Sequence, residues 1–152
     1  MPSQPSANLD QFSRQIVQIM PLMFREFAKR EDNELTRGKI SFPQMVALDY
    51  AAHHPKVTMT ELSKVLSIRL SSTTVLVDRL IREKMLRRER DEKDRRLVWV
   101  MVTPRGKKVI SQIMEQKRRS IKDIFGVLSG RERDQYLSMI SKVYSHLRES
   151  HG

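Results

Sequence analysis

The hydrophobic pattern of this chain changes period once, and that switch constrains the fold more than any other feature. Up to Met85 the apolar residues recur at intervals of three and four, the spacing of one helix face. Leu97-Val98-Trp99-Val100-Met101-Val102 is then a continuous apolar run rich in β-branched residues, as in a strand. Ahead of it stand Arg87-Arg88-Glu89-Arg90 and a polar turn, Asp91-Glu92-Lys93-Asp94. Two strands around a charged tip make a hairpin. After it the helical period returns, with Thr103 placed as an N-cap and Pro104 at the first helical position. One hairpin set among helices gives a mainly α (α+β) fold.

The helix starts are marked locally. Ser41-x-x-Gln44, Thr58-x-x-Glu61 and Ser129-x-x-Glu132 are capping boxes, in which the first side chain and the fourth each satisfy a free backbone N–H. Ile40 with Met45, and Val57 with Leu62, are spaced to staple the first two. These signals predict helices over about 42–53, closed by Pro55, and over 59–66. After a break at 67–70 a third helix runs from Ser71 to Lys84, and a long one from Pro104 to about Val127. A last helix follows Ser129. Near the start, Leu9, Phe12, Ile16, Ile19, Met20, Met23 and Phe27 form another apolar stripe. Pro21 falls inside that stripe, so the helix either kinks there or restarts. Residues 1–8 read as a frayed arm and 31–39 as a charged loop.

Composition narrows the function. The chain has 152 residues and no cysteine, which excludes disulfides, thiolate metal sites and thiol redox chemistry. No apolar run approaches the roughly 18 residues of a membrane span, and no signal core is visible, so a cytoplasmic location is the expectation. Lys and Arg number 29 against 18 Asp and Glu, a net charge of +11. Between Arg82 and Lys108 eleven basic residues face five acidic ones, so over half the surplus lies in under a fifth of the chain. Such a field suits a polyanion.

Two short helices joined by a tight turn and followed by a basic hairpin make a winged helix-turn-helix, here over residues 41–103. A helix fits the major groove of DNA, and short polar side chains in its first turns allow close approach to base edges. Thr73, Leu76, Val77 and Leu80 form the inward face of the 71–84 helix. Ser71, Ser72, Thr74 and Val75 then face outward, flanked by Arg69, Arg79 and Arg82. On the wing, Arg88 and Arg90 lead to Asp94-Arg95-Arg96, and a narrow basic tip can enter the minor groove. Asp94 is expected to brace an arginine by hydrogen bonding to it.

The sequence resembles the MarR family of bacterial winged-helix regulators. The resemblance rests on Gln44 after the helix cap, Thr60-Glu61-Leu62-Ser63, Leu66, Ser71, Leu76-Val77-Asp78-Arg79-Leu80, Leu86, Asp94-Arg95-Arg96 and Val102-Thr103-x-x-Gly106. It implies that the helix from Ser71 is the recognition helix and that Asp94 and Arg96 are the wing-tip pair. It further implies a homodimer on palindromic double-stranded DNA, usually a repressor released by a small-molecule effector. Met85 departs from the pattern where the family usually turns with glycine. Arg69 stands at a frequent serine, and Val75 where a basic or polar residue is common.

The outer segments, 9–40 and 104–150, carry more apolar residues than a winged domain covers. Phe12, Ile16 and Ile19, with Ile121, Ile124, Ile140, Val143 and Leu147, are the expected dimerisation residues, since family members intertwine these helices. A bundle within one monomer is the alternative. Two-fold symmetry would set two recognition helices about 34 Å apart.

Other chemistries find little support. His53 and His54 are adjacent and project roughly 100° apart on a helix, so they do not share a metal easily. His146 and His151 lie at the chain end. No metal site, cofactor or catalytic group is assigned, the chain is read as no enzyme, and effector-binding residues are unassigned, with Trp99, Met101, His53 and His54 only candidates for a cleft. Membrane is not an expected partner. A low-specificity architectural DNA binder is the alternative to a sequence-specific regulator, and a winged protein–protein module is a third reading.

Overall fold

A computed structural model describes residues 8–150. The element order is α1 (Leu9–Lys29), α2 (Phe42–His53), β1 (Val57–Thr58), α3 (Met59–Leu66), α4 (Leu70–Arg82), β2 (Leu86–Arg90), β3 (Val98–Val102), α5 (Pro104–Phe125) and α6 (Gly130–Glu149). The expected arm at 1–8 falls outside the described residues except for Asn8, whose side chain caps α1 by accepting from the Gln11 N–H at 2.8 Å. The helix neither stops nor restarts at Pro21 but runs through it.

All three capping boxes form, each with both reciprocal hydrogen bonds. Ile40 and Met45 are buried beside the first, and Val57 and Leu62 beside the second. The hairpin is wider than a two-stranded wing. β1 joins it, giving an antiparallel sheet in the order β1-β3-β2, with Val57 opposite Val100 and Leu86 opposite Val102. Leu97 does not enter the strand; its N–H closes the wing turn onto the Asp94 carbonyl.

Chain Met1–Gln116 is one compact unit and Lys117–Gly152 another. The core of the first lies where α2, α3 and α4 meet the sheet. Leu48, Leu62, Val77, Leu80, Leu86 and Val100 are fully buried there, each large side chain contributing about 1.5–3 kcal/mol by leaving water. Val109, Ile110 and Ile113 of α5 join this core. The loop before α2 is tied to α5 as well. The Gln116 amide accepts from the Asn33 side chain and the Asp32 N–H and donates to the Asp32 carbonyl, all at about 3 Å.

Two junctions aim the wing. The α3–α4 turn is tight because Ser67 adopts a left-handed conformation (φ 53°) and its N–H returns to the Lys64 carbonyl. Before β2 the left-handed residue is Lys84 (φ 59°), not Met85. Met85 is buried instead, which explains why glycine is not needed at that position. Its carbonyl accepts the Thr103 N–H, while the Thr103 hydroxyl reaches the Lys84 carbonyl at 2.6 Å and accepts the Gly106 N–H at 3.0 Å. A Cβ on Gly106 would stand 2.1 Å from the Met85 carbonyl oxygen, so Thr-x-x-Gly is the pattern that lets α5 begin against this turn.

Within the second unit Phe125 and Tyr136 pack ring to ring, with centroids 5.0 Å apart. No residue of α1 or of α6 is buried.

Candidate nucleic-acid interface

α4 has two unlike faces, set by its sequence period. Thr73, Val77 and Leu80 are buried, and the Thr73 hydroxyl is spent on the Arg69 carbonyl at 3.0 Å. Ser71, Val75, Asp78 and Arg82 follow at intervals of four, three and four and share the opposite face. Ser71, Ser72 and Val75 are exposed, while Thr74 is half-buried and donates its hydroxyl proton to the Leu70 carbonyl. Arg69 occupies the N-cap position and supplies no side-chain cap. A cleft of about 690 Å³ opens between the end of α3 and the start of α4, lined by Ser63, Lys64, Ser67, Ile68, Arg69 and Ser72. Lys64 and Ser67 were not singled out from sequence. Their only signal is their place on either side of a tight turn.

The wing residues divide differently from the expectation. Arg88 is not free on the approach to the tip; its guanidinium meets Asp78 of α4 at 2.6 Å and fastens the wing strand to that helix. Arg87 pairs with Glu89. Arg90, Arg95 and Arg96, like Arg69, Arg79 and Arg82, have no carboxylate partner among the described residues, which leaves six guanidinium groups for a polyanion. Asp94 does hydrogen-bond an arginine, but at the backbone. It accepts the backbone N–H of Arg96 at 3.0 Å, not a guanidinium. A carboxylate two residues before an N–H closes an Asx turn more readily than it reaches along a flexible side chain.

The residue that organises the wing is Asp91. One carboxylate oxygen accepts the Trp99 indole N–H at 2.8 Å, and the other accepts the Lys93 and Asp94 N–H groups at 2.9 Å. The indole bond first, then the two backbone bonds, hold its carboxyl below the usual aspartate range. The Lys56 ammonium lies 5.8 Å over the Trp99 ring. Trp99 is therefore part of the wing's own scaffold. His53 and His54 turn their Nδ1 atoms to the Asp49 and Tyr50 carbonyls, and His54 stacks on Tyr50. His151 lies outside the described residues.

Of the expected dimerisation residues, Phe12 and Ile19 of α1 are about half exposed and Ile16 less so. On α5, Ile121 is exposed and Ile124 half-buried, and Ile140, Val143 and Leu147 of α6 are all exposed.

A helix-turn-helix braced to a basic three-stranded wing defines a winged-helix protein. Residues 39–97 match the sequence model of the MarR family. The HTH-type transcriptional regulator YsmB of Bacillus subtilis is 27% identical over 124 residues, 82% of this chain and 80% of the relative. In fold, the chain is similar to Streptococcus pneumoniae FabT in complex with DNA, with TM-score 0.78 and 21% identity over 93% of this chain and 99% of that one. It is similar also to the Staphylococcus aureus MepR–DNA complex, with TM-score 0.68 and 21% identity over 86% and 96%. The winged-helix segment of this chain is thus similar to that of the MarR family, and the relative matched over most of its length is named a transcriptional regulator.

Proposed function

We propose that the protein is a dimeric, sequence-specific DNA-binding regulator that reads a palindromic operator. The α4 helix enters the major groove, with Ser71, Ser72, Thr74 and Val75 toward the bases and Arg69 and Arg79 on phosphates. The wing from Arg90 to Arg96 enters the minor groove. Arg88 belongs to this machinery as the tie that holds wing and helix in one geometry.

The observation that carries the reading is the pairing of an exposed, hydroxyl-bearing helix face with unpaired guanidinium groups, the wing strand being fixed to that helix by Arg88–Asp78. The fold's similarity to FabT and MepR, each solved with DNA, supports it. Segments 9–40 and 104–150 form the dimerisation region, supported by the exposed apolar residues of α1 and α6. Repression, and its release by a small effector, are carried over from the family alone.

Anisotropy titrations of operator fragments selected from random duplexes test the reading. If about eight phosphates are neutralised per dimer, log affinity falls against log salt with a slope near −7. Arg96→Ala is expected to weaken binding about tenfold or more and to flatten that slope, with the fold intact. Binding that ignores both salt and Arg96 would overturn it.

A further inference from the structure

Val75 is the anomaly of the candidate interface. It is 68% exposed at the centre of the outward face of α4, one turn beyond Ser71 and one turn before Arg79. A β-branched side chain is a poor choice for an exposed helix position, and no packing in the core requires it. The short polar side chains around it cannot discriminate bases on their own. The Ser71 and Ser72 hydroxyls both donate and accept, so they suit any base edge. Thr74 has committed its only proton to the Leu70 carbonyl. Asp78, on the same face, is held by Arg88.

Resting on the DNA-binding reading above, we propose that Val75 determines sequence by packing on the C5 methyl group of a thymine, one in each half-site. That methyl is the one apolar feature of the major-groove edge of unmodified DNA. An isopropyl group set against cytosine or adenine would cover an N–H donor without replacing its hydrogen bond to water, and set against guanine it would cover two acceptors. Valine therefore favours thymine both by what it covers and by what it leaves unsatisfied elsewhere. Its short branch keeps the helix close enough for Ser71 to reach the neighbouring pair.

The test uses the full chain and duplexes it enriches from a random pool. Each thymine of the enriched sequence is replaced singly by deoxyuridine, which removes the methyl and leaves every hydrogen-bonding group. One position per half-site is expected to lose about fourfold in affinity, the worth of one buried methyl-sized group (~0.8 kcal/mol). In Val75→Ala that position becomes indifferent to uracil, and the two losses do not add. Uracil tolerated at every position overturns the assignment, as does a sensitive thymine that stays sensitive in Val75→Ala. In both cases the enriched sequence shows that DNA reading itself stands. A chain that enriches no sequence and holds duplexes without preference overturns the regulator reading together with this one.

Discussion

The winged core and the outer helices are built from the same kind of amphipathic sequence and meet opposite fates. Every buried apolar side chain among the described residues lies between Ile40 and Ile113. The α1 helix, with its stripe of Phe12, Ile19, Met20 and Met23, buries none, and neither does α6. Periodicity decides where a helix forms and which face is apolar. It does not decide what covers that face. Inside the core the covering partner is the chain itself; on α1 and α6 it is a second copy in the reading proposed here, because exposed apolar patches of this kind mark association surfaces.

Charging those outer faces is the severest way to break the comparison. Val143→Asp with Leu147→Asp on α6, or Phe12→Asp with Ile19→Asp on α1, places carboxylates on surfaces that contribute nothing to the core. Sedimentation equilibrium of the parent chain should give twice 17.9 kDa, and of either double variant 17.9 kDa. Far-ultraviolet circular dichroism should stay close to parental. Operator affinity should drop by ~10²-fold or more, since two linked half-site contacts become one. A parent chain of 17.9 kDa at micromolar concentration would remove the contrast altogether.

Two glycines sharpen it at smaller scale. Gly106→Ala drives a methyl against the Met85 carbonyl and the Val102 side chain, an overpacking cost of about 1–3 kcal/mol. Gly130→Ala, at the start of α6, meets nothing closer than the tip of Arg133 at 3.9 Å. It should stabilise by about 0.4–1 kcal/mol through the unfolded chain. Urea denaturation of the two variants should show midpoints moving in opposite directions. A Gly106→Ala protein as stable as its parent would mean that the 85–103–106 junction yields easily.

Much of this was legible in the sequence where the cause is local. Capping boxes at Ser41, Thr58 and Ser129 require only residues three apart, and each formed as expected. The inward face of α4 followed from its period. What the sequence does not carry depends on contacts distant in sequence or on competition between partners. Gln116 meets Asn33 across 83 residues, which no period encodes. Arg88 reads as a residue of the wing approach because its partner Asp78 lies on another element. Asp94 reaches its arginine at the backbone, since an N–H two residues away wins on entropy. Asp91 was read as part of a polar turn, and only the fold brings Trp99 to it.

That last contact yields the mildest prediction, and it probes the wing alone, since Trp99 is the only tryptophan. Asp91 titrates below its ordinary value of 3.8 because the Trp99 indole and two backbone N–H groups bind its ionised form. A carboxyl lowered in the folded state stabilises fully above the unfolded value and loses that contribution as pH falls through the lowered one. The wing turn should therefore hold unchanged from neutral pH to about 4 and loosen only in stronger acid. Tryptophan emission followed from pH 7 to 2 should report this as a late red shift, before the loss of helical circular dichroism if the core outlasts the wing. Asp91→Asn keeps an acceptor for the indole and removes the charge, so its emission should lack the acid transition while operator affinity falls only a few-fold. An unchanged acid transition in Asp91→Asn would assign it to another carboxylate, such as Glu61, which the Thr58 N–H and hydroxyl hold below its usual range. The packed domain, rather than its finger, would then be the part that acid loosens first.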